Sequence, residues 1–104
     1  MIDVCERGAL WSGEMLGALA GGVPVLLLDV EGTPLAFVDR CPHQGVRLSE
    51  GALCGHVLTC RAHGWSYDVR DGSGINPAEP GLVRLPLAVV AGRILVDPAP
   101  ESGR

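Results

Sequence analysis

The segment that decides the fold runs from residue 41 to residue 65 and reads CPHQGVRLSEGALCGHVLTCRAHGW. It contains two short motifs: Cys41 and His43 form a Cys-x-His, and Cys60 and His63 form a Cys-x-x-His. Each motif offers one thiolate and one imidazole, and both groups are common ligands of transition metals. The segment therefore predicts a metal site that is held by two loops.

Two kinds of metal site are compatible with this ligand set. A structural zinc ion often takes two Cys and two His, but such sites usually pair Cys with Cys in one segment and His with His in another. Here each loop mixes the two types, which suits a binuclear cluster touched by both loops. In a Rieske-type [2Fe–2S] centre, two Cys hold one iron and two His hold the other. The spacing favours this cluster and leaves a structural zinc-binding interaction module as the alternative.

Outside this segment the sequence predicts short β-strands. Apolar runs are separated by turn residues, and Glu31-Gly32-Thr33-Pro34 and Ala91-Gly92 are typical of hairpin turns. Glycines flank and interrupt residues 14–20, which disfavours a helix there. Many short strands of this kind indicate an all-β sandwich or barrel. The predicted strands are 2–5, 14–19, 23–30, 35–38, 57–60, 65–69, 82–90 and 93–96.

Length and composition restrict the class of protein. The 104 residues predict one domain, 1–104, that ends in a frayed tail at about 97–104. The net charge of −4, with Arg as the only cation besides His, argues against binding to nucleic acid or an anionic membrane. An acidic surface is compatible with docking onto a basic patch of a partner protein.

No apolar stretch is long enough to cross a bilayer, and the N-terminus does not resemble a signal peptide. These features predict a cytoplasmic protein with no membrane partner. In that compartment clustered Cys and His more often bind metal than form disulfides. Cys5 and Cys54 lack partnered spacing, so we expect them to be ordinary thiols.

The chain resembles Rieske-type ferredoxins over nearly its whole length. The family's first loop is matched by CPHQG at 41–45 and LSEG at 48–51, and its second by CRAHGW at 60–65. Two further stretches, WSGEM at 11–15 and GINP at 74–77, are most similar to the ferredoxin component of aromatic-ring monooxygenase systems, such as the toluene monooxygenases.

This resemblance implies a Rieske fold, in which antiparallel β-sheets form the base and about residues 40–67 form a small cluster-binding subdomain. It implies one [2Fe–2S] cluster per chain, with Cys41 and Cys60 on one iron and His43 and His63 on the other. Such ferredoxins are not enzymes: they pass single electrons from an NADH-dependent flavin reductase to a non-haem iron oxygenase. Two related functions stay open, the ferredoxin of a ring-hydroxylating dioxygenase and the small Rieske-like subunit of an assimilatory reductase.

Residues beside the ligands are expected to surround the cluster or to form the docking surface; they are Gln44, Gly45, Val46, Gly64, Trp65, Tyr67 and Pro77. Respiratory Rieske proteins of high potential have a disulfide where this chain has Val46 and Ala62, and a Ser hydroxyl where it has Trp65. Fewer hydrogen bonds to the cluster predict a potential near the lower end of the Rieske range, about −150 mV. A hydrogen bond donated by the Tyr67 hydroxyl to a cysteine sulfur would raise this potential.

Overall fold

The computed structural model describes residues 1–40, 47–61, 64–76 and 81–98. Within these ranges the regular structure consists of β-strands and two short 3-10 helices. In the same ranges no helix is long and apolar enough to span a membrane. The strands are β1 (Ile2–Glu6), β2 (Met15–Ala20), β3 (Val23–Val30), β4 (Thr33–Val38), β5 (Ala52–Cys54), β6 (Val57–Thr59), β7 (Ser66–Asp68), β8 (Ser73–Asn76), β9 (Arg84–Leu85), β10 (Leu87–Val90) and β11 (Arg93–Val96), and the 3-10 helices are Arg7–Ala9 and Leu48–Glu50.

The strands form three antiparallel sheets, which confirms the all-β prediction. A terminal sheet has the order β1-β11-β10, a central sheet β2-β3-β4-β9, and a site sheet β5-β6-β7-β8. Most neighbours within each sheet are consecutive in the chain, so tight turns such as the one at Glu31-Gly32 suffice to join them. The site sheet is a meander of very short strands, and its β6–β7 turn contains the second motif.

The central sheet is buried on both faces. Along β3, Leu26 and Leu28 belong to a core shared with the site sheet, whereas Val25 and Leu27 belong to a core shared with the terminal sheet. Successive residues of a strand point to opposite faces, so a strand buried on both sides is apolar at nearly every position. This is why the β3 sequence VPVLLLDV does not alternate.

The central and site sheets together position the two motifs. β4 ends at Val38, shortly before residue 41, and β6 ends at Thr59, immediately before Cys60. The core between these sheets includes Leu48, which lies in the 3-10 helix that follows the first loop. The rigid part of the fold therefore holds the roots of both loops.

Three features of the sheets differ from the sequence predictions. The predicted strand 82–90 is two strands in different sheets, because Pro86 lacks the N–H that a continuous ladder needs. β5 and β8 were not predicted, since both are short edge strands of the site sheet and β8 contains a glycine. Residues 14–19 do form a strand, β2, with its bounds displaced by one residue.

Two large side chains outside the sheets lie near the surface. Trp11 is 66% exposed, and its indole N–H donates to the carbonyl of Gly8 at 3.2 Å. His56 lies half-buried in the β5–β6 turn. Neither side chain contributes to the two cores of the central sheet.

Candidate metal centre

The structure describes part of the predicted site. Of the predicted ligands, Cys60 lies among the described residues, and so do its neighbours Gly64, Trp65 and Tyr67. The remaining predicted site residues lie outside the described ranges: Cys41, His43, Gln44, Gly45, Val46, His63 and Pro77. The described part of the site therefore consists of Cys60, its neighbours and the roots of the two loops.

Cys60 occupies a buried, fixed position at the end of β6. It is 1% exposed and packs in the core that contains Leu58 and Tyr67. Its backbone N–H donates to the carbonyl of Trp65 at 2.7 Å, which closes the second loop at its root. Gly64 adopts φ = +68°, a left-handed conformation that glycine reaches without steric cost. The second motif thus starts from a thiol that neither moves freely nor faces bulk water.

The first loop is held at its root by a buried carboxylate. Asp39 is 1% exposed, and it accepts hydrogen bonds from the backbone N–H of Ser49 at 2.8 Å and from its hydroxyl at 2.7 Å. The guanidinium of Arg47 lies 3.9 Å from the same carboxylate. Because Asp39 and Ser49 lie on either side of residues 41–46, this Asp39–Ser49 clamp fixes the separation of the loop's two ends.

The neighbouring strand leaves room for the clamp. A Cβ atom at Gly17 of β2 would lie 2.9 Å from the Ser49 hydroxyl and 3.2 Å from a carboxylate oxygen of Asp39. A side chain at position 17 would therefore displace the clamp. The clamp was not predicted from sequence. Two features of the sequence could have indicated it: an acidic residue stands two positions before Cys41, and a serine lies in the matched stretch LSEG.

We expect Asp39→Ala to destabilise the protein by about 1–3 kcal/mol, because it leaves the partly buried N–H of Ser49 without its acceptor. Asp71→Ala is a matched control: Asp71 also accepts from the N–H and the hydroxyl of a serine, Ser73, but at an exposed turn. Chemical denaturation of both holo variants measures the difference. Equal losses of stability in the two variants would contradict a structural role specific to the clamp.

The two loop roots pack directly against each other. A Cβ atom at Gly51 would lie 2.2 Å from the carbonyl oxygen of Thr59, so the segment after the first loop touches the backbone that precedes Cys60. The side chains of Glu50 and Arg61 also form an ion pair at 3.4 Å across the two segments. The roots of two loops that are distant in sequence are thereby held side by side.

The surroundings of Cys60 suit a metal cluster with soft ligands. Tyr67 is fully buried in the same core, and Trp65 is half-buried and packs against it. Both rings thus share with Cys60 the core between the central and site sheets. Cysteine binds iron as a thiolate, and an apolar shell around a cluster limits solvent access and tunes its potential. Both the donor and its surroundings therefore fit an iron–sulfur centre.

The other two described cysteines lie away from this arrangement. Cys5 is half-buried on β1 of the terminal sheet, where burial raises the pKa of its thiol. Cys54 is exposed at the end of β5. Both are free thiols among the described residues, and their role as ordinary thiols stays a prediction.

Comparisons with known proteins agree on one family. The Rieske [2Fe-2S] domain family matches residues 1–87. The ferredoxin component of the alkene monooxygenase system of Xanthobacter autotrophicus is 45% identical over 105 residues, which cover 98% of this chain and 86% of that protein. The ferredoxin component of the biphenyl 2,3-dioxygenase of Rhodococcus jostii is 38% identical over 72 residues, which cover 69% and 67% of the two chains.

Among solved structures, a chain from the complex of reduced oxygenase and oxidized ferredoxin in carbazole 1,9a-dioxygenase has the same fold. The two chains align with a TM-score of 0.82 at 28% identity, and the match covers 91% of this chain and 90% of that chain.

Proposed function

The chain belongs to the Rieske [2Fe-2S] domain family, and from this we propose that it is the ferredoxin component of a multicomponent monooxygenase. Its role is to carry single electrons to the oxygenase component, without catalysis of its own. The observation that carries the proposal is the 45% identity to an alkene monooxygenase ferredoxin component over 98% of the chain. The [2Fe–2S] cofactor of the family takes the place of the zinc ion considered as an alternative.

We assign the cluster ligands to the two motifs. Cys41 and Cys60 would hold one iron, and His43 and His63 would hold the other. The structure supports this proposal through the described residues: Cys60 is buried at the root of the second loop, and the Asp39–Ser49 clamp flanks the first motif. The contact between Gly51 and Thr59 brings the two loop roots together, as shared ligation requires.

When bound, the cluster accepts and releases one electron at a time. The residues of the chain would hold it and limit its exposure: the clamp sets the separation of the two ends of the first loop, and Tyr67 and Trp65 pack in or against the core that contains Cys60. Gln44, Gly45, Val46, Gly64 and Pro77 complete the proposed surroundings. Trp65 has no hydroxyl that could donate a hydrogen bond to the cluster, which is consistent with the low potential expected from the sequence. That potential stays a prediction.

The proposed partners are an electron donor and an electron acceptor. We infer that the donor is an NADH-dependent flavin reductase and that the acceptor is a non-haem iron oxygenase. The carbazole 1,9a-dioxygenase structure supports an oxygenase as the acceptor, because it is a complex of an oxygenase with a ferredoxin. That structure and the biphenyl dioxygenase relative also favour a second candidate function, the ferredoxin of a dioxygenase. The higher identity and wider coverage of the alkene monooxygenase relative favour the monooxygenase.

Cofactor analysis and rapid kinetics test this function. We expect the purified native protein to contain iron and acid-labile sulfide at about 2:2 per chain and to give a rhombic electron paramagnetic resonance signal on reduction. In stopped-flow experiments the reduced protein should be reoxidised by the oxygenase component of a monooxygenase faster than by that of a dioxygenase. The apoprotein serves as the control. Stoichiometric zinc without sulfide would reject the proposal, and the opposite order of rates would select the dioxygenase.

A further inference from the structure

Three arginines lie at the roots of the two proposed ligand loops. Arg40 immediately precedes residue 41, Arg47 immediately follows residue 46, and Arg61 immediately follows Cys60. All three are exposed, and the side chains of Arg47 and Arg61 are 51% and 66% exposed. We call these three residues the arginine collar.

Nearby acids do not cancel the charge of the arginine collar at the surface. Asp39 is buried and has its oxygens directed at Ser49 and Arg47. Glu50 is exposed and lies 3.4 Å from Arg61, but an exposed pair of this kind is weak and leaves the guanidinium accessible. Among the described residues at the loop roots, three exposed guanidinium groups thus accompany one exposed carboxylate.

The other end of the site sheet has the opposite balance. The β6–β7 hairpin begins at His56 and returns to Val69, whose N–H donates to the His56 carbonyl, so this end lies away from Cys60 and Trp65. Here Arg70 is surrounded by Asp68, Asp71 and Glu31. Its hydrogen bonds lower the pKa of Asp68 to about 2, so that carboxylate is ionised at neutral pH.

The net charge of the chain therefore misrepresents the surface around the loops. The arginine collar holds three of the eight Lys and Arg residues, while two of the twelve acids, Asp39 and Glu50, lie at the described loop roots. Electrostatic interactions between exposed charges fade over about 8–10 Å in physiological salt. A partner that approaches from the loop side therefore meets the arginine collar first, whereas the acids beside Arg70 lie at the other end of the site sheet.

We propose that the arginine collar is a docking surface for a partner face rich in carboxylates. This inference rests on the proposed function and identifies that face as the surface around the electron entry of the oxygenase. It reverses the expectation drawn from the net charge, under which the partner would present a basic patch. Complementary charge of this kind mainly raises the rate of association and orients the two proteins before electron transfer.

Two small oxidants of opposite charge test the sign of this surface without any protein partner. Ferricyanide, a trivalent anion, takes one electron from the reduced protein and becomes ferrocyanide; hexaamminecobalt(III), a trivalent cation, is reduced to cobalt(II). We expect the ferricyanide rate constant to fall as salt rises and the cobalt rate constant to increase. If the net charge governs, both salt dependences have the opposite sign, and that result would overturn the proposal.

Variants of the collar provide the second readout. For a trivalent anion about 8 Å from one guanidinium, Coulomb attraction in screened water changes the rate by about threefold. Arg40→Gln and Arg61→Gln should each slow ferricyanide by about that factor, and the double variant by about tenfold. The cobalt complex corrects for any change in driving force, since a changed potential would move both rates in the same direction. Arg70→Gln is the matched control, since Arg70 is similarly exposed at 61% and also pairs with a carboxylate.

The oxygenase itself completes the test. Electron transfer from the wild-type protein should slow with rising salt, and the double variant should be slower than Arg70→Gln at low salt. If the oxygenase accepts electrons equally fast from the wild-type protein, the double variant and Arg70→Gln, the docking proposal is overturned and the proposed function is left intact. If the wild-type protein reduces no oxygenase component, the proposed function fails, while the small oxidants still decide the sign of the surface.

Discussion

Cys60→Ala should abolish the [2Fe–2S] cluster. Cys60 is 1% exposed at the root of the second loop, whereas Cys5 lies on β1 and Cys54 is paired with Val57 at the opposite end of β6. Loss of a residue that merely supports a metal ligand already weakens metal binding by about 10–100-fold, so loss of a ligand itself should exceed this range. We expect iron and sulfide contents more than about tenfold below those of the wild-type protein, with no visible charge-transfer bands.

Cys54→Ala is the matched control for this experiment. Cys54 is exposed at the end of β5, one strand away from β6 in the same sheet, and it should keep its full complement of iron and sulfide. Far-ultraviolet circular dichroism distinguishes loss of the cluster from loss of the fold. Cys60→Ser adds a second, nearly isosteric variant. A Cys60→Ala protein with stoichiometric iron and sulfide would refute the assignment of Cys60 as a ligand.

Gly51→Ala should have the largest effect on stability outside the ligands. The added Cβ atom would lie 2.2 Å from the carbonyl oxygen of Thr59, and both contacting atoms belong to a backbone or are attached directly to one. Neither can rotate away, so the end of β6 must move beside Cys60. Overpacking of a tight contact costs roughly 3 kcal/mol at the upper end of the usual range. For a chain of this size that corresponds to a melting temperature lower by at least about 10 °C.

Gly8→Ala controls for the loss of a glycine as such. Gly8 lies in the 3-10 helix Arg7–Ala9 with nothing within 4 Å of its ideal Cβ position, so the substitution should change stability by no more than about 0.5 kcal/mol. Thermal melts followed both by circular dichroism and by cluster absorbance compare the two holo variants. If they melt at the same temperature, the loop roots are not packed as tightly as the structure indicates.

Much of the fold follows from local sequence patterns. The turn at Glu31-Gly32 and the buried run of β3 predicted the central hairpin, because turn chemistry and apolar runs act over a few residues. The split at Pro86 was visible as a proline, but the sheet that each half joins depends on packing against distant strands. The short edge strands β5 and β8 have too few residues to show a period at all.

The site likewise has residues that the sequence pattern indicates and residues whose role depends on the folded structure. The spacing of Cys and His identified the candidate ligands, whereas the burial of Asp39 and its hydrogen bonds to Ser49 depend on how the chain folds. The charge around the loops was not predictable from the net charge, because a sum of charges has no position. Trp11 shows that the size and aromaticity of a side chain do not by themselves determine its burial, because it is 66% exposed.

The Asp39–Ser49 clamp has a consequence for the assembly of the cluster. Its hydrogen bonds join protein to protein and require no metal, so the ends of the first loop are already in place in the apoprotein. Small zinc domains, in contrast, fold only as the ion binds. Because the clamp sets the separation of the two loop ends without metal, the entropy of closing the loop between them is lost during folding, before the cluster binds. The apoprotein should therefore receive a preformed cluster at a loop whose ends are already positioned.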